Sequence, residues 1–307
     1  MLISANRVEC DECGCYATLV RRLLPTKISF TAALMTFANS AALGGECDIS
    51  GSKIYYEESG SGSAIVLLHD GLLDSASWDE VWRPLARKYH VIRYDRRGYG
   101  RSDPATSPFS PAEDLAKLLR HLKVEHALIA GSSSGGALAI DFAIKHPELV
   151  DGLFLIGPVL HGMEYSAEFR ARANRNNEPM ERDDVRAMAR NWSQDRFLIA
   201  GANENARQKV YEHLLANADK LEKYNSGLEE KLSPPASKRL AEIKVSTLIL
   251  EGDHDIADVH AHGDAIKAGI SGSKRIVVNE AGHLIQLEKP DEVVKRLENF
   301  VEQSAHR

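Results

Sequence analysis

Residues 126–144 read HALIAGSSSGGALAIDFAI. Ala127 to Ala130 is a short apolar run that reads as a strand. Gly131-Ser132-Ser133-Ser134-Gly135-Gly136 follows, and a helical pattern rich in Ala, Leu, Ile and Phe begins at once. A strand that turns so abruptly into a helix needs small residues, because the two elements nearly touch. In that context Gly-x-Ser-x-Gly holds its central residue in a strained conformation with the side chain exposed at the sheet edge. The frame makes Ser133 that residue, with Ser132 and Ser134 as neighbours. Taken alone, the same letters also describe a glycine/serine loop capping a helix. The decision rests on the rest of the chain.

On either side, strand and helix patterns alternate. Strands are predicted at Lys53–Glu58, Ala64–Leu68, His90–Tyr94, Gly152–Ile156, Ser246–Leu250 and Lys274–Val278. The first is followed by Ser59-Gly60-Ser61-Gly62, which has the composition of a hairpin turn. Helices are predicted at Ser75–Lys88, at Pro111–Leu122 with Ser110 as cap, at Asp258–Ala268 and at Pro290–Glu302. Such alternation predicts an α/β fold with a mostly parallel, doubly wound sheet. Val159 to Pro235 breaks the rhythm with three helical patterns, near Met163–Asn174, Asp183–Gln194 and Glu204–Tyr224. That stretch reads as an inserted helical cap (159–235), leaving 48–158 and 236–307 as the core.

Residues 1–47 read as a leader outside the fold. Ile28 to Leu43 lacks charge, Arg21, Arg22 and Lys27 precede it, and Ser40-Ala41-Ala42 follows its apolar part. Basic, then apolar, then small is the order of an export signal. All four cysteines, Cys10, Cys13, Cys15 and Cys47, fall in this segment. A closed zinc site needs a fourth ligand beyond C-x2-C-x-C, and no histidine is near, so neither metal nor disulfide is expected to support the fold. With 307 residues and a net charge of −6, the chain suits one large domain and does not resemble a general nucleic-acid binder. No apolar stretch has the length of a membrane span. Composition leaves the oligomeric state open.

Loops at the carboxyl ends of parallel strands gather at one edge. The polar residues that follow the strands are therefore the candidates: His69-Asp70-Gly71, Ser133, Glu251-Gly252-Asp253-His254-Asp255, and Asn279-Glu280-Ala281-Gly282-His283. Ser133, Asp255 and His283 stand in the order nucleophile, acid, histidine. A serine hydroxyl needs a base to take its proton, and His283 suits that task near neutrality. Asp255 would fix the imidazole tautomer. An oxyanion needs donors. The Ser134 N–H is one, and Gly71 is the expected second, with Leu72 as its alternative.

The motifs LLHDG (Leu67–Gly71), YDRRGYGRS (Tyr94–Ser102), GSSSGG (Gly131–Gly136), LEGDHD (Leu250–Asp255) and AGHLIQLEKP (Ala281–Pro290) together resemble the α/β-hydrolase fold family. The likeness is to its capped esterase, lactonase and cofactor-free haloperoxidase-like branch, and runs from Tyr55 to Phe300. It implies a Ser133–Asp255–His283 triad, a small-molecule acyl substrate and no cofactor. It favours Asp255 over Asp253 as the acid. One departure is Asp70, which separates His69 from Gly71 where such enzymes carry His-Gly. C–C bond hydrolase, thioesterase, amidase and perhydrolase chemistry stay open, as does a non-hydrolytic binding role on the same scaffold.

Other residues read more simply. His69 is expected to pack beneath its loop, and Arg96, Arg97 and Arg101 to be solvated or to pin theirs, with an anionic substrate as the alternative. Met163, Tyr165, Phe169, Trp192 and Phe197 are candidates for a pocket lining. Asp253, His254, Asp255, Asp258, His260, His262 and Asp264 are dense in possible metal ligands, but their spacing matches no metal motif. No metal is expected.

Overall fold

The computed structural model describes residues 43–201, 203–218 and 226–304. The expected export signal, up to residue 42, and Cys10, Cys13 and Cys15 lie outside the described residues. An eight-stranded sheet runs in the order β1-β2-β4-β3-β5-β6-β7-β8. Its strands are β1 Leu43–Ile49, β2 Ser52–Ser59, β3 Ala64–Leu68, β4 His90–Tyr94, β5 Ala127–Ser132, β6 Val150–Ile156, β7 Ser246–Gly252 and β8 Lys274–Val278. β1 and β2 are antiparallel to their neighbours, and the pairings from β4 through β8 are parallel.

The strand pattern explains why both faces are covered. Val66, Leu68, Ile129, Leu153 and Leu155 point into one apolar cluster, together with Leu115 and Leu119 of α2 (Pro111–His121) and Ile140 of α3 (Ser134–Lys145). Ile65, Leu67, Leu128, Phe154 and Ile156 alternate with them into a second cluster. There they meet Val81 and Leu85 of α1 (Asp79–Leu85) and, near the carboxyl terminus, Val293, Leu297 and Phe300. The period of two along each strand thus divides one apolar run between two helical layers.

Two expectations are corrected. The sheet begins at Leu43, so the segment 1–47 is not wholly outside the fold. Ile49 pairs with Ser52 around Ser50 and Gly51, whose φ values of 55° and 80° are those of a tight hairpin turn. Cys47 and Ile49 alternate with exposed Glu46 and Asp48, and both are buried in the core. The second correction concerns Ser59–Gly62. It closes no hairpin, because β4 lies between β2 and β3. Gly60 is required there for another reason: a Cβ would strike the carbonyls of Tyr89 and Ala86.

Between β6 and β7 the described residues add no strand to the sheet. They form α4 (Ala167–Asn177), α5 (Val185–Ser193) and α6 (Glu204–Ala216). Met188, Trp192, Val210 and Leu214 make a third apolar cluster with Leu284 and Leu287, which follow β8. The insertion therefore packs on the segment that carries His283. Helices α7 (Ala257–Gly269), α8 (Ile285–Glu288) and α9 (Pro290–Ser304) complete the described chain. No helix among the described residues is long and apolar enough to cross a membrane.

Candidate active site

The turn after β5 is as tight as its glycines suggest. A Cβ on Gly131 would overlap the Gly135 carbonyl, and one on Gly135 would overlap the carbonyls of Leu68 and His69. Ser133 sits between them at φ 54° and ψ −116°. That conformation costs a residue with a side chain about 1–3 kcal/mol, and the surroundings must impose it. Here the Ser133 N–H donates to Ile156 O at 2.8 Å, and Ser133 O accepts from Ala137 N at 3.1 Å. Half-buried Ser133 and His283 line the same cavity, of about 530 Å³.

His283 is held from both sides. Its Nδ1 lies 2.7 Å from Asp255 Oδ2, while Asp255 Oδ1 accepts the Ile256 N–H at 2.8 Å. Burial pulls the imidazole pKa down, but the Asp255 charge and hydrogen bond outweigh it, and the net shift is upward. Gly157, at φ 48°, allows this close approach: a Cβ there would stand 2.9 Å from His283 Nδ1. Asp253 does not reach the imidazole. Its Oδ1 pairs with His254 Nδ1 at 2.6 Å and accepts the Ala281 N–H at 3.2 Å, so it shapes the turn beside the site.

Gly71 and Ser134 adjoin, since a Cβ on Gly71 would lie 3.0 Å from Ser134 Oγ. Leu72 N and Leu73 N both donate to Asp70 Oδ1, at 2.8 and 2.9 Å. The Leu72 N–H is thereby committed to the turn, which leaves Gly71 as the donor to consider from this loop. His69 lies beneath, fully buried. Its Nδ1 meets Asp70 O at 2.7 Å and its Nε2 accepts the Arg96 N–H at 3.0 Å. Burial, with the Arg96 charge, pushes its pKa down to about 3, so it stays neutral. Arg96 Nη2 donates to Asp70 O and Ser134 Oγ, Arg97 forks onto Asp114, and Arg101 pairs with Asp95 at 3.1 Å. All three arginines pin the loop, one of the roles their setting in the sequence allows.

Of the five candidates for the pocket lining, Phe169 and Trp192 line the cavity. Met163 packs on the sheet's core, and Tyr165 stacks on Phe169 at 4.2 Å. Phe197 instead holds the histidine loop by its backbone, accepting the His283 N–H at 2.9 Å. Arg172, Met180, Met188 and Leu198 line the cavity and escape the sequence reading. Arg172 stands three residues after Phe169, on the same helical face, and that spacing was its signal. The Asp253–Asp264 segment is dispersed among separate partners. Asp258 accepts from Ser166, His260 pairs with Glu251, and His262 accepts the Leu160 N–H. Among the described residues, no three His, Cys, Asp or Glu side chains converge as metal ligands.

Glu288 is a further residue that the sequence did not single out. Its two oxygens accept the Gly282 and Ala200 N–H groups, each at 2.6 Å, tying the loop before His283 to the insertion. Burial raises its pKa from 4.5 to about 7, and the two N–H bonds only partly oppose the shift. A carboxyl whose pKa is raised on folding stabilises the fold fully below its unfolded pKa, and that contribution is lost as pH rises through about 7. His283 acts in the same direction. The expected result is a melting temperature that declines between about pH 5 and 8, by up to about 3 kcal/mol of stability from Glu288. Glu288→Gln should flatten that decline, whatever its cost at a single pH. An unchanged slope in thermal melts across that range would refute the assignment.

The family model for the alpha/beta hydrolase fold matches residues 64–290. The chain is 28% identical over 280 residues to the 2-hydroxy-6-oxo-6-phenylhexa-2,4-dienoate hydrolase of Comamonas testosteroni, covering 84% of this chain and 94% of that one. It is 29% identical over 264 residues to the 2-hydroxy-6-oxononadienedioate/2-hydroxy-6-oxononatrienedioate hydrolase of Escherichia coli (strain K12), covering 81% and 91%. Among solved structures, Est816, described as an N-acyl homoserine lactone degrading enzyme, superposes with a TM-score of 0.68 at 25% identity, over 83% of this chain and 100% of its own. With its eight-stranded sheet, the sharp turn at Ser133 and a family match spanning most of the described residues, the chain belongs to the α/β-hydrolase fold family.

Proposed function

We propose that this hydrolase is a serine enzyme that cleaves small esters or lactones through an acyl-enzyme. The observation that carries the reading is the shared cavity of Ser133 and His283, with His283 Nδ1 bonded to Asp255 at 2.7 Å. Because Nδ1 faces a carboxylate, it carries the proton, and Nε2 is left to act as the base. Nε2 takes the Ser133 hydroxyl proton as Oγ bonds to the substrate carbonyl carbon. The tetrahedral oxyanion is received by the N–H groups of Ser134 and Gly71. Collapse breaks the bond to the alkoxide, which leaves with the proton from His283. Water, activated by the same imidazole, then releases the acid and restores Ser133. Residues 159–235 serve as the cap that closes the acyl pocket, with Phe169, Met180, Met188 and Trp192 as its apolar lining.

The curated relatives favour a second reading, in which the same residues hydrolyse a C–C bond beside a ketone. The test is fluorophosphonate labelling joined to a substrate panel: esters and lactones of increasing acyl length, and a 2-hydroxy-6-oxo-dienoate. Labelling and ester or lactone turnover that survive excess chelator are expected. Turnover confined to the dienoate would favour the second reading, and activity that returns only with added metal would overturn both.

A further inference from the structure

Two buried polar atoms of cavity-lining residues have no partner among the described residues: Asp70 Oδ2 and Arg172 Nη2. Asp70 is 2% exposed and Arg172 6%. Each is fixed through its other atoms. Asp70 Oδ1 holds the Leu72 and Leu73 N–H groups. Arg172 Nε donates to Asp195 Oδ2 at 2.7 Å, and its guanidinium lies 5.2 Å from the Trp192 ring and 5.6 Å from that of Phe197. Leaving such groups unsatisfied costs about 1–3 kcal/mol each. Arg207, equally buried in the same insertion, avoids that cost by donating to three backbone carbonyls. Both residues line the cavity that Ser133 and His283 share. The Arg172 charge acts to lower the pKa of His283, and the Asp70 charge acts to raise it.

We infer that these two atoms form a polar clamp for the substrate's acyl part. The group it takes is neutral, both donor and acceptor, and next to the scissile carbonyl: an amide or a hydroxy-carbonyl unit. Its N–H or O–H donates to Asp70 Oδ2, and its oxygen accepts from Arg172 Nη2. A second carboxylate suits the site poorly. Asp195 already offsets the Arg172 charge, Asp74 also lines the cavity, and Asp255 stands behind His283. An anionic substituent would enter a pocket richer in acid than in base. The inference rests on the hydrolase reading above and adds the substrate class.

The test compares p-nitrophenyl esters of N-acetylglycine, pentanoic acid and succinic acid (monoester), which share a leaving group. Each kcat/KM is divided by that ester's hydroxide-catalysed rate. The acetylglycyl ester should exceed its pentanoyl isostere by at least about 30-fold, with the hemisuccinate slowest. Asp70→Asn keeps a carbonyl oxygen for Leu72 and Leu73 but replaces the orphan acceptor by a donor. It should cut the acetylglycyl-to-pentanoyl ratio at least about tenfold. Arg172→Lys keeps a charge for Asp195, removes the fork and should lower the same ratio. Taking the ratio within each variant cancels general damage to the enzyme, and the wild-type ratio decides even if a variant fails to fold. A wild-type ratio near one, a hemisuccinate that is fastest, or a ratio unmoved in a folded Asp70→Asn protein would each overturn the clamp. Wild-type protein that hydrolyses none of the three esters would overturn the ester and lactone reading above, and the clamp with it.

Discussion

Ser133→Ala is expected to leave a folded protein that no longer turns over substrate. Its kcat/KM should fall by at least about 10⁴-fold, and covalent fluorophosphonate labelling should vanish. The large effect follows from the chemistry, since no acyl-enzyme forms without the Ser133 oxygen. The small effect on stability follows from the geometry. Ser133 is half-buried, and its side chain caps no helix N–H. Alanine keeps the Cβ, so the strain at φ 54° is unchanged. Stability should stay within about 0.5 kcal/mol of wild type. The neighbouring serines make a stringent control. Ser132 Oγ is buried and donates to Gln286 Oε1 at 3.3 Å, so Ser132→Ala should still label. Labelling that survives Ser133→Ala and is lost in Ser132→Ala would shift the reactive position by one residue.

Much of this arrangement is legible in the sequence, because the constraints involved are local. Gly131, Ser133 and Gly135 announce the turn since only small residues fit where strand meets helix. The apolar runs of β3, β5 and β6 announce a sheet covered on both faces. Asp255 and His283 become candidates once strand ends are collected at one edge. What escaped depends on contacts distant in sequence. The pairing of β1 with β2 was signalled only by Ser50-Gly51, and the apolar leader before it obscured the strand. Ser59–Gly62 looked like a hairpin because turn composition does not say which strand comes to lie alongside. Gly157 directly follows the predicted strand Gly152–Ile156, and nothing local tells that its missing side chain makes room for His283 and Asp255. Charge alone does not single out Arg172 or Glu288. Their importance comes from what folding places against them, Asp195 for the one and the Gly282 and Ala200 amides for the other.

Asp255→Asn is the second large effect. Its amide would place an N–H group opposite His283 Nδ1, where Asp255 Oδ2 now lies at 2.7 Å. The imidazole would then carry its proton on Nε2 and accept at Nδ1, the reverse of what proton abstraction from Ser133 requires. A loss of up to about 10⁴ in kcat is expected, with Ser133 still in place. The pH profile should move as well. In the wild type, burial lowers the His283 pKa, and Asp255 more than restores it. The asparagine variant keeps the burial and the Arg172 charge but loses the carboxylate, so the imidazole pKa falls. The acid limb of kcat/KM, where protonated His283 cannot act as a base, should therefore shift to lower pH even as the plateau drops. The stabilisation that Asp255 gives protonated His283 is present below the ordinary histidine range and is lost as pH rises through the folded value. The variant should accordingly lose most stability on the acid side. Asp253→Asn separates the two neighbouring carboxylates. Asp253 serves His254 and the Ala281 N–H, so its loss should cost turnover about tenfold at most and leave the acid limb where it was. If Asp253→Asn proved the more damaging and Asp255→Asn stayed within tenfold of wild type, the acid would have to be reassigned to Asp253, against the 2.7 Å contact that singles out Asp255.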